Sequence, residues 1–154
     1  PALHRAHLPT GLLAAQAPDS SWLVATDGGR LVELGPVSTT PAWHAQESWL
    51  AYPAADGTGL EVYRAEALER QSLPVGRGRF SVAAVPLVWD AAGRGLFFQT
   101  QDGRVGYLPD LEEGTTYLLT PPYPGLRDLQ VSPEGGWIAF VQGSELYIFP
   151  VAGE

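Results

Sequence analysis

One repeated phrase limits what this chain can fold into. Residues 131–151 read VSPEGGWIAFVQGSELYIFPV: a Pro/Gly turn, an apolar run opened by Trp137, a second turn at Gly143-Ser144, and a second apolar run. That order of signals predicts a β-hairpin entered through a tight turn, since Pro presets one turn dihedral and Gly supplies the positive φ that other residues avoid. Laid over Trp137, the stretch QAPDSSWLVA aligns at Trp22, WHAQESWLAY at Trp49 and WDAAGRGLFF at Gly95. Each copy runs into a second turn (Asp27-Gly28-Gly29, Asp56-Gly57, Asp102-Gly103) and then another strand-like run, RLVEL, LEVYR or RVGYL.

The four anchor positions stand 27, 46 and 42 residues apart. Repeats of about 40 residues carrying several short strands each are the mark of propeller blades, four-stranded sheets set radially about a channel. The expected fold is all-β: one domain forming a small β-propeller of about four blades. Its units are 10–36, 37–82, 83–124 and 125–154, the last completed by residues 1–9. TTYLLTPP supplies an outer strand in the third unit. In the second, residues 65–73 suit an outer strand or a short helical turn, because AEALER is rich in helix formers. The first unit, 27 residues before the next anchor, is too short for four strands, so its blade is expected to be reduced. Shifted by 115 positions, residues 2–9 fall on 117–124 and Trp22 falls on Trp137 without a gap. The amino-terminal strand is therefore expected to pair with the strand at 145–150 and close the ring, removing two free edges.

The phrases VSPEGGWIAFVQGSELYIFPVAGE and PAWHAQESWLAYPAADGTGLEVYRAE resemble the repeats of TolB-like β-propellers, which also occur in the propellers of prolyl-oligopeptidase-type peptidases. Two copies depart from that pattern: Ala45-Gln46-Glu47-Ser48 lacks the Pro and Gly of the turn, and Gly95 replaces the aromatic anchor. The resemblance covers nearly the whole chain and implies a fold rather than a function. Such propellers are often exported, whereas an amino-terminal Pro without a signal peptide favours a cytosolic start; the two expectations conflict.

Composition narrows the classes of partner. All nine basic residues are arginine, and 17 carboxylates bring the net charge to −8, which disfavours nucleic acid and anionic membranes. No apolar run approaches the roughly 18 residues of a membrane helix. Cysteine is absent, which excludes disulfides and thiolate metal sites.

No catalytic set emerges from the residues. There is no Gly-x-Ser-x-Gly, and the Asp-Gly turns lack the alternating ligands of a calcium loop. His4 and His7 would share a face on a helix but point apart on the strand expected there. His44 has no second ligand nearby and is expected to cap an inner strand; no metal or other cofactor is expected. Trp22, Trp49 and Trp137 recur at one strand position and are expected between adjacent blades. The inner strands carry apolar Leu13, Ala15, Ala84, Leu87 and Leu129, which argues against a catalytic channel.

The binding candidates lie on blade-connecting loops: Arg77, Arg79 and Phe80 in one, Tyr123 and Arg127 in another. Arginines with aromatics are the composition of interface hot spots, and on an acidic background they suit a carboxylate-bearing peptide or partner. The function expected is a non-enzymatic protein- or peptide-binding scaffold. The alternative is an accessory or gating propeller of a hydrolase system whose catalytic part lies on another chain. Residues 31–37, at the edge of the reduced blade, are expected as a second surface for self-association.

Overall fold

The computed structural model describes residues 5–7, 13–16, 21–25, 31–36, 39, 41–47, 49–64, 69–75 and 79–151, the stretches between 5 and 36 by their backbone course alone. Every regular element among them is a β-strand. The first sheet is an antiparallel meander of β1 (Arg5–His7), β2 (Leu13–Gln16), β3 (Ser21–Ala25) and β4 (Leu31–Pro36). The second runs β5 (Ala42–Trp43), β6 (Trp49–Pro53), β7 (Gly59–Arg64), β8 (Glu69–Pro74). The third runs β9 (Val88–Trp89), β10 (Leu96–Gln99), β11 (Val105–Leu108), β12 (Tyr117–Leu118). The last has three strands, β13 (Arg127–Val131), β14 (Trp137–Gln142) and β15 (Glu145–Pro150). Among the described residues no sheet closes on itself, and no helix is long and apolar enough to cross a membrane.

Two expectations at the amino terminus are corrected. β1 pairs with β2 (Arg5 opposite Ala15, His7 opposite Leu13), not with β15, whose partner is β14. The first sheet consequently has four strands and is not reduced. The physical reason is loop closure: β1 and β2 are joined by five residues, whereas pairing β1 with β15 would tie together the two ends of the chain. In the second unit Glu69–Pro74 is a strand rather than a helical turn, because tertiary pairing with β7 overrides local propensity. Residues 65–68 lie outside the described set.

Sheets two, three and four stack face on face in chain order. The second and third share Ala51, Leu60, Val62, Leu96, Phe98 and Leu108. The third and fourth share Phe97, Val105, Leu126, Ile138 and Phe140. Alternation along β10 produces both contacts: Leu96 and Phe98 face back to the second sheet, Phe97 forward to the fourth. All four residues of β10 are buried, as expected for a strand covered on both sides. Each Phe contributes about 1.5–3 kcal/mol by leaving water. Phe97 stacks on Tyr107 with centroids 4.3 Å apart, and the ring of Phe98 lies over Gly106, where a Cβ would collide with it. The first strands of these sheets converge: β9 lies beside both β5 and β13.

The tryptophan expectation divides. Trp49 packs half-buried against the sheet that follows it. Trp137 holds the same strand position but is 48% exposed. The side chain of Trp22 lies outside the described residues.

Candidate functional site

The described part of the connection between the second and third sheets, residue 75 and residues 79–87, is pinned to both. Val82 N–H donates to the Gly57 carbonyl, Ala83 N–H to Gln99, and Gln101 N–H to Ser81. Phe80 anchors the middle of this connection by stacking on Phe98, 6.0 Å between centroids. Arg79, its neighbour, is thereby placed at the surface, and among the described residues it has no ion-pair partner.

Arg79 and Phe80 open onto a cleft of about 370 Å³ whose other walls are Arg104, Thr116, Tyr117 and Leu118. Arg104 stands in the turn after β10 and is held there by Asp102, with N···O 2.7 Å from Nη2 and 3.0 Å from Nε. Thr100 donates its hydroxyl to the same carboxylate. Those two hydrogen bonds, Arg104 first, hold the Asp102 carboxyl below its ordinary value of 3.8. Gly103 shapes this turn at φ 91, and a Cβ there would meet the Tyr123 backbone. The third wall is β12, the outer strand of its sheet, with Tyr117 41% and Leu118 38% exposed. The cleft thus joins the Arg79 guanidinium, a second one restrained by a carboxylate, an apolar wall and a strand edge.

The other candidates lie elsewhere. Tyr123 belongs to the core between the third and fourth sheets, its ring 4.6 Å from Tyr147 and 5.3 Å from Phe140. Its N–H donates to the Gly103 carbonyl, so it braces the turn carrying Arg104 from behind. Arg127 lines a separate cleft of about 330 Å³ with Val85, Pro86, Val88 and Leu129. It is paired with Asp128 at 2.7 Å and donates to the Gly143 carbonyl at 3.0 Å. Asp128 has φ 59, and β13 is irregular between Arg127 and Gln130, so the local bulge aims this arginine. Arg77 lies outside the described residues. Sequence reading missed Arg104, Tyr117 and Leu118; the available signal was an aromatic and a leucine on an outer strand with nothing beyond it.

His44 joins the second and third sheets. Its Nδ1 accepts from the N–H groups of Gln46 and Glu47, both at 3.0 Å, and its Nε2 lies 2.8 Å from the Gly93 carbonyl. Two pure donors and one pure acceptor fix the neutral tautomer with its proton on Nε2. The ring packs edge-on between Trp49 and Trp89, at 5.2 and 4.7 Å. Beside it a smaller cleft of about 190 Å³ is bounded by Trp49, Arg64, Arg94, Asp110 and Glu112, with the Arg64 guanidinium 4.6 Å over the Trp49 ring. His4 lies outside the described residues, and His7 is described by its backbone alone. Among the described residues no three of His, Asp and Glu gather closely enough to hold a metal ion.

No family model matches the chain, and no curated protein matches it in sequence.

Proposed function

We propose that the chain is a non-enzymatic protein- or peptide-binding module whose sheets are the blades of a small propeller. The stacking of successive sheets in chain order and the convergence of β5, β9 and β13 support the blade reading. The cleft of Arg79, Phe80, Arg104, Tyr117 and Leu118 is the binding site, and the observation that carries it is Arg79, a cation with no ion-pair partner among the described residues, beside exposed Tyr117 and Leu118. Its ligand is an extended peptide bearing a carboxylate next to an apolar residue. The carboxylate meets Arg79, the apolar side chain covers Leu118, and the peptide backbone runs along β12. The net charge of −8 leaves such a peptide few other places to settle.

Selection from a random peptide library against the wild type and Arg79→Glu tests this. The wild type should enrich Asp or Glu beside a large apolar residue, and the variant should lose those peptides. Identical enrichment by both proteins, or none by the wild type, would overturn the assignment.

A further inference from the structure

Gln99 ends β10 at a position whose neighbours are all apolar core. It stands two residues after Phe97 and opposite Val105, both of which belong to the core shared with the fourth sheet, so its side chain lies on that same face. Gln99 is 8% exposed, yet its side-chain amide makes no hydrogen bond to another described residue. Gln71 and Gln142 behave differently. Both are less buried, and each donates from Nε2 to a backbone carbonyl, of Leu111 and of Pro124, at 3.0 Å. A free amide at the depth of Gln99 weakens the fold unless something bonds to it. It lines the cleft of about 330 Å³ between the third and fourth sheets, where β9 and β13 lie side by side. Val85, Pro86 and Val88 wall this cleft on one side, Leu126 and Leu129 on the other. The bond from Ala83 N–H to the Gln99 carbonyl holds the first wall in place. At the rim Arg127 and Asp128 neutralise each other at 2.7 Å, and a second Arg127 nitrogen is taken by the Gly143 carbonyl. Apolar walls, a self-neutralised rim and one free amide make up the cavity.

We propose that this cleft is a second binding site, for a small neutral molecule with an apolar body and one carboxamide group. The Gln99 amide presents an acceptor and a pair of donors, and a carboxamide laid beside it satisfies both ends with two hydrogen bonds. A carboxylate engages only the Nε2 donors and sets negative charge against Oε1, with Arg127 already committed to Asp128. An ammonium engages only Oε1. Neither charge finds a free counter-charge at the rim, and both lose water on entering between apolar walls. The volume lies at the lower end of the range for ligand pockets, so the molecule is small, and its body leaves water against Val85, Val88 and Leu129. This site shares no lining residue with the cleft of Arg79.

Titration of hydrocinnamamide, a phenyl ring on a short stem ending in a carboxamide, into isotope-labelled protein reads the site by NMR, because the Gln99 side-chain amide gives its own signals. Hydrocinnamate and phenylpropylamine keep a similar body and replace the amide by a charge. The amide should shift the Gln99 side-chain signals and the backbone signals of Val88 and Leu129 saturably, and should bind about tenfold more tightly than either charged analogue. Gln99→Met, similar in shape but without an amide, should reduce amide binding to the level of the analogues. The order of the three compounds on the wild type carries the test even where that variant folds poorly. No saturable shift at millimolar amide, equal binding of all three compounds, shifts confined to the cleft of Arg79, or undiminished amide binding by folded Gln99→Met would each overturn the proposal.

Discussion

His44 donates from Nε2 to the carbonyl of Gly93 at 2.8 Å, tying the inner end of the second sheet to the first turn of the third. Residue 93 has φ +73, and a Cβ there would approach His44 Nε2 to 2.5 Å, so glycine is required both for the turn and for the histidine. The flanking rings of Trp49 and Trp89 leave His44 no room to retreat.

Gly93→Ala should therefore destabilise the fold by about 3 kcal/mol, adding left-handed strain to the lost hydrogen bond. Gly114→Ala is the comparison, since φ there is +77 but nothing lies within 4 Å of the added methyl. It should cost about 1–2 kcal/mol, from strain alone. Urea unfolding of both variants measures the difference; equal losses would mean that the His44 contact contributes nothing.

Phe97 and Phe98 are neighbours in sequence but belong to separate cores. Each change to Ala should cost about 3–5 kcal/mol. Because that approaches the whole stability of an ordinary domain, the double variant should be unfolded at room temperature, as circular dichroism would show.

Burial of Tyr52, which is 3% exposed, pushes its hydroxyl up to about 12 from 10.0. A raised folded-state value gives stability that is complete below pH 10 and is lost as pH rises from there toward 12. The hydroxyl has no hydrogen-bond partner among the described residues, so Tyr52→Phe should match or exceed wild-type stability at pH 7 and lose less at high pH. Parallel alkaline melting curves for the two proteins would contradict this.

Asp102 works in the opposite direction. Its lowered carboxyl gives stability that is present above the ordinary 3.8 and disappears as pH falls through the folded-state value. Asp102→Asn should lower the melting temperature slightly near neutrality and flatten its decline below pH 4, the effect being small because the pair is exposed.

The hairpins were legible because their turns have local chemistry: Asp102-Gly103 and Pro133-Glu134-Gly135 announce themselves, and β10–β11 and β13–β14 follow. The partner of β1 was not. Overlay of residues 2–9 on 117–124 reports what the segment resembles, whereas its neighbour was decided by the short connection to β2. The site was half legible for a similar reason. Arg79 and Phe80 are adjacent in the chain, so one loop carried both to the cleft. Tyr123 shares their composition but stands where Phe140 and Tyr147 could bury it, a relation that is visible only once the fourth sheet is packed on the third. Arg104 and Tyr117 come from different strands, and their approach to Arg79 depends on the third sheet being formed.

The burial of β10 on both sides has a kinetic consequence. Each sheet is a local meander, so its strands can find one another quickly, but a lone sheet leaves two oily faces in water. The third has described neighbours on both, and its backbone amides should be among the last to exchange with deuterium. Leu96 to Gln99 would then belong to the slowest-opening part of the described sheets, with exchange quickening toward β15 at the wet face. A nucleus placed there would let structure spread in both directions, much as stacking propagates along a repeat array.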